Sequence, residues 1–180
     1  MSINTTFREV QRFRQLWVWV LILFIAALQW WGWIQQILLG QPFGDNPGPD
    51  WLMWLLLVAF GIAFPIFFFS LRLVVEVNEQ GVLLHFIPLS RRLIRFDEIE
   101  RCEATDYQPL RDYGGWGIRG LGGNRAYNVS GSQGVRLVLR NGNQILIGSQ
   151  RAADLDLAID SRLFALTGAG RWRWLQAPRV

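Results

Sequence analysis

Apolar residues along this chain of 180 residues run through three patterns in succession: unbroken, then alternating, then helical. Residues 15–44 include no charged side chain, and neither do residues 51–71. Within them, 16–39 and 51–71 are apolar all round, whereas a helix on a soluble protein keeps a charged face. Each run reaches the roughly 20 residues that a helix needs to cross the hydrocarbon core of a bilayer. The pattern therefore predicts a hairpin of two membrane spans. Trp17, Trp19, Trp30, Trp31, Trp33, Trp51 and Trp54 mark these runs. Tryptophan favours the headgroup level, where the ring is buried and the indole N–H stays wet. Gly61 and Pro65 are expected to kink the second span. Between the spans, GQPFGDNPGPD (40–50) is rich in turn formers and holds Asp45 and Asp50 without a basic residue. Arg8, Arg12, Arg14 and Arg72 flank the outer ends instead, so the positive-inside rule places both termini in the cytoplasm. Ile3, Phe7, Val10 and Arg14 fall at helical spacing, which predicts a short interfacial helix within a basic segment 1–15. A signal peptide is rejected, because the first run is too long and no small-residue cleavage site follows it.

At Leu73 the period changes to two. Leu73, Val75 and Val77 precede Asn78-Glu79-Gln80-Gly81, and a four-residue loop there sets them opposite Phe86, Leu84 and Val82 on one face. Further strands are expected at 91–96 and 99–106. The clearest hairpin joins 135–140 to 143–148. A two-residue turn at Asn141-Gly142 would scatter its apolar residues over both faces. A three-residue loop, Arg140-Asn141-Gly142, gathers Val135, Leu137, Leu139, Ile145 and Ile147 on one face and is the register chosen. Ser149 can then cap a final helix over 150–166, with Ala152, Leu155, Ile159 and Leu163 inward and Asp154, Asp156 and Asp160 toward solvent.

About seven short strands and one closing helix fit a small barrel or sandwich. Three stretches, NEQGVLLHF, RRLIRFDEIE and GVRLVLRNGNQILIGSQRAADLDLAI, make the chain resemble the bacterial pleckstrin-homology-like (PH-like) domain. With two preceding spans and YGGWGIRG, it looks like a family of small two-pass bacterial membrane proteins of unknown activity. The resemblance implies an α+β membrane protein: a basic segment 1–15, a hairpin 16–72, a cytoplasmic PH-like domain 73–166 and a tail 167–180. It further implies the bacterial inner (plasma) membrane.

Composition narrows the chemistry. All 18 basic residues are arginine, so Schiff-base chemistry at a lysine is excluded. One His85 and one Cys102 cannot build a zinc site of several Cys and His ligands. A net charge of +4 suits a surface beside anionic lipid better than a dedicated nucleic-acid binder. Gly115–Gly120 matches G-x-G-x-x-G, but glycines follow where a dinucleotide site needs a helix. The stretch 113–127 reads either as a binding loop or as irregular edge strands that use glycine for bulges. Tyr113, Trp116, Arg119 and Arg125 on it, with Arg91, Arg92 and Arg95, are the candidate contacts for a protein partner or anionic lipid. Asp97, Glu98, Glu100 and Glu103 follow those last three arginines, so surface pairing competes with lipid contact. Arg171-Trp172-Arg173-Trp174 in the tail combines groups that favour the interface. No catalytic constellation, cofactor site or small-molecule substrate is indicated. The expectation is a non-enzymatic display protein, with a protein partner or a homo-oligomer as its candidate association, ahead of a membrane enzyme or a subunit of a larger membrane complex.

Overall fold

The computed structural model describes residues 5–120 and 123–167; Ile3 and the Arg-Trp tail lie outside them. The chain divides into two compact units, one made of 1–12 with 72–180, the other of 13–71. The apolar unit is thus inserted in sequence between the first two strands of the other.

In the apolar unit, α1 (Leu16–Trp33) continues through a π-helical turn, Ile34–Leu38. The chain returns through α2 (Asp50–Leu56), a π-helical segment Leu57–Ala63, and α3 (Phe64–Ser70). Leu16–Leu38 and Asp50–Ser70 are long and apolar enough to cross a membrane. Only 17% and 11% of their most apolar windows is buried, whereas the core helix of a soluble protein is mostly buried. The irregularity in the second helix has a local cause. Pro65 has no N–H to offer the Gly61 carbonyl four residues earlier. The Trp30 indole N–H donates to that carbonyl at 3.3 Å, from the facing helix. Trp33 packs edge-on against Trp54 at 4.9 Å, and the Gln36 amide donates to the Gly48 carbonyl and the Asp50 carboxylate at 2.7 and 2.9 Å.

The other unit holds two sheets and two helices. β1 (Phe7–Arg12), β2 (Arg72–Val77), β3 (Gly81–Ile87) and β4 (Ser90–Arg95) form an antiparallel meander in that order. β5 (Ile99–Asp106) leads to a short helix α4 (Pro109–Tyr113), then β6 (Gly117–Arg119), β7 (Arg125–Asn128), β8 (Gln133–Leu139) and β9 (Gln144–Gly148). These five strands lie in the order β5-β8-β9-β7-β6, with β7 parallel to β9. Helix α5 (Ala152–Thr167) packs against β5 and β8 of one sheet and β1 and β2 of the other.

Alternation settles most of the register. Leu73, Val75 and Val77 pair with Phe86, Leu84 and Val82, as the period of two requires. Leu137 pairs with Ile145 and Val135 with Ile147 across the three-residue loop, where the Gly142 N–H bonds the Leu139 carbonyl at φ +80°. All these side chains are buried, with Leu155, Ile159 and Leu163 of α5 against them.

Three expectations fail here. Residues 7–12 are a strand, not an interfacial helix. Phe7, Glu9 and Gln11 face inward while Arg8, Val10 and Arg12 face out, so the buried face is mostly polar and carries no apolar period. Its polar groups are bonded across the fold, except the Gln11 side-chain oxygen, which is buried without a partner. The Glu9 carboxylate accepts from the Ser149 hydroxyl and from the Gln150 N–H at 2.9 Å, and the Gln11 amide donates to the Gly148 carbonyl at 2.7 Å. The Arg151 guanidinium lies over the Phe7 ring at 5.2 Å. Second, Asp156 is buried rather than solvent-facing; its carbonyl receives the Cys102 thiol at 3.9 Å. Third, among the described residues nine strands form, β1 included, where about seven were expected. The added pair β6–β7 comes from the glycine-rich stretch, which is an edge of the second sheet.

Candidate functional site

That added pair changes what β9 can bury. Its outward residue Leu146 sits under Ala126 of β7 and Tyr107, with Tyr113 of α4 packed edge-on to Tyr107 at 6.1 Å. Tyr107 and Tyr113 therefore pack at the second face of β9, next to Ala126 of the neighbouring strand β7. Burial pushes the Tyr107 phenol above its ordinary value of 10, opposed by the neighbouring Asn128 amide and reinforced by Tyr113. G-x-G-x-x-G follows the helix α4 and runs into the strand β6, the reverse of a phosphate-binding strand-to-helix turn.

The seven candidate residues separate into three groups. Tyr113, packed at the second face of β9, and Trp116 are half-buried, and the exposed Arg119 donates through Nε to the Trp116 carbonyl at 3.0 Å. Arg95 is held by Asp97 at 3.1 Å, and this bond with its charge raises the already high guanidinium pKa. Surface pairing thus accounts for Arg95.

It does not account for Arg91 and Arg92. With Ser90 they join Gly123, Arg125, Tyr127 and Asn143 around an open cleft of about 340 Å³. The cleft lies where the edge strand β4 of one sheet meets β7 and the β8–β9 turn of the other. Arg92 and Ser90 pair with Leu84 and Phe86, so they occupy the core-facing side of β4. Arg125 pairs with Ile145 and shares its face with Tyr127, which is buried. The loop side is fixed tightly: a Cβ on Gly123 would overlap the Asn143 amide, and the Gln144 N–H donates to the Asn124 side chain at 3.2 Å.

Three arginines thus line the cleft with Ser90 and Asn143, Arg92 from the core-facing side of β4 and Arg91 from its outward side, and no carboxylate lines it. Among the described residues, Arg8, Arg95 and Arg151 each meet an acid within 4.0 Å, and Arg91, Arg92 and Arg125 do not. Arginine's planar fork suits oxyanions, which it binds through paired, charge-assisted hydrogen bonds. Tyr127 stands out in the sequence as one of the large amphipathic side chains of the glycine-rich stretch, whereas Ser90, Gly123 and Asn143 do not. Only the inward phase of Ser90 and Arg92, opposite apolar partners, points to them.

A family model described as a family of unknown function (DUF6141) matches residues 2–166. No curated protein and no solved structure matches the chain.

Proposed function

We propose, for a chain that belongs to the DUF6141 family of unknown function, a role as a two-span membrane protein that holds a PH-like domain at the cytoplasmic surface for binding. The observation that carries this reading is the insertion of two apolar helices between paired strands. Arg12 of β1 lies beside Arg72 of β2, and everything between them is the apolar unit. Two strands of one sheet cannot lie on opposite sides of a bilayer, so the helices must leave and return on one side. By the positive-inside rule, the arginines at 8, 12, 14 and 72 support the cytoplasm as that side. In a bacterium this is the inner membrane.

The PH-like reading rests on topology. With α4, β6 and β7 set aside as an insertion between β5 and β8, four meander strands, three further strands and a closing helix remain. Binding rather than catalysis is favoured by the cleft, whose lining offers hydrogen-bond donors from arginine, serine, asparagine and tyrosine and includes no carboxylate, histidine or cysteine. A protein partner, an anionic lipid or a second copy of the chain fits this role. The test begins with location. The full-length protein should remain in the membrane pellet after alkaline carbonate washing and dissolve in mild detergent. Release by carbonate would refute an integral anchor.

A further inference from the structure

We propose that the cleft formed by Ser90, Arg91, Arg92, Arg125 and Asn143 is a binding site for a phosphomonoester, presented by a lipid headgroup; the lipid source rests on the membrane anchor proposed above. The first argument is position. Ser90 and Arg92 stand opposite Phe86 and Leu84, where the alternation of β4 calls for apolar side chains. Arg125 pairs with Ile145 but is itself exposed, as is Arg91, whereas Arg92 is half-buried. Charge at the rim of a core is unfavourable unless it is paired, and no described carboxylate pairs Arg92. An external anion completes the site.

The second argument is charge. A phosphomonoester carries about −1.5 to −2 near neutrality and three strong acceptor oxygens. Its charge matches a cleft lined by three arginines and no acid better than a phosphodiester, with its single charge. The open volume of about 340 Å³ accommodates such a group with part of its alcohol. The Ser90 hydroxyl and Asn143 amide add uncharged donors.

The third argument is connectivity, which selects the source. Arg12, Arg72 and Ile87 are aligned across β1, β2 and β3, so the apolar helices leave and re-enter at this end of the sheet. The β3–β4 turn is at the same end, and its Leu89 is 57% exposed. Ser90, Arg91 and Arg92 are the first residues after that turn. At about 3.3 Å per residue they lie within roughly 10 Å of the strand end. The strand ends that continue into the apolar helices and the first residues of β4 thus share one end of the sheet, which favours a lipid as the source of the phosphate.

The test is calorimetric titration of the full-length protein in dodecyl maltoside with dihexanoyl phosphatidate, dihexanoyl phosphatidylcholine and glycerol 3-phosphate. Saturable binding of phosphatidate, without binding of phosphatidylcholine, is expected. Arg92→Gln and Arg125→Gln should each weaken it at least about tenfold, the size expected for one charge-assisted contact. Arg101→Gln, at an exposed β5 position outside the cleft, should not. Arg125 is exposed, so its substitution carries the test if the Arg92 variant melts early. Phosphatidate binding at least about tenfold tighter than glycerol 3-phosphate supports the lipid source. Equal affinities keep the phosphate site and overturn that source. Absence of saturable phosphate binding, or equal weakening by Arg101→Gln, overturns the site itself. Either result leaves the carbonate test of the anchor untouched.

Discussion

Glu9 provides the sharpest test of how this fold is closed. It lies on β1, is 9% exposed, and its carboxylate meets the Ser149 hydroxyl and the Gln150 N–H just ahead of α5. Glu9→Ala removes both acceptors and leaves two donors in a buried site. A hydrogen bond to a charged group contributes about 1.5–3 kcal/mol, so losing two costs at least about 3 kcal/mol. At about 1.4 kcal/mol per factor of ten, the local opening of β1 should become roughly 100-fold more frequent. Hydrogen exchange of the full-length protein in detergent reads this directly. Amides of β1 should exchange about 100-fold faster in the variant, while those of the distant β8 keep their protection. Glu9→Gln keeps one oxygen and shape but loses the charge, and an acceleration of about tenfold is expected. If Glu9→Ala left β1 exchange within about threefold of wild type, the strand would not be held by this contact, and its place in the domain would be wrong.

Leu155→Asp sets a charge among side chains of the core, where Leu155 is wholly buried; it should cost more than about 3 kcal/mol and abolish cooperative melting of the domain. A parent-like melting temperature would show that α5 does not pack as described. Tyr107 predicts an alkaline effect. Its folded-state pKa is raised by burial, so the native state keeps a proton that the unfolded chain loses above about pH 10. This stabilisation is complete below that pH and is lost as pH rises through the folded pKa. Tyr107→Phe should therefore lose less thermal stability than wild type between about pH 9 and 11; equal losses would mean the phenol is not buried in the folded state.

Legibility in the sequence followed the physics of each element. Strands β2, β3, β8 and β9 were readable to the register, because a shift of one residue would turn Leu73, Val75, Leu137 or Ile145 to solvent. Helix α5 was readable from the spacing of Ala152, Leu155, Ile159 and Leu163. Strand β1 was not, since its inward Glu9 and Gln11 bond to Ser149, Gln150 and Gly148, some 140 residues away in the chain. Burial of Leu146 was hidden for a related reason: Tyr107 and Tyr113, which pack at the second face of β9, lie at the start of a stretch without any period. The cleft was half legible. Arg91, Arg92 and Arg125 are conspicuous as basic residues, but the seam that joins β4 to β7 exists only in three dimensions. Nothing local distinguishes Arg95, committed to Asp97, from its neighbours on the same strand.

The central claim is that the domain and both ends of the inserted helices share one side of a membrane, with the turn between the helices on the other. It is tested most directly with single cysteines in a Cys102→Ser background, replacing either Asn46 in the inter-helix loop or Ala153 on α5, both exposed. Intact cells would be treated with a membrane-impermeant maleimide. The account predicts labelling at position 46 before lysis and at position 153 only after it. Labelling of position 153 in intact cells, or protection of both positions until lysis, would contradict it.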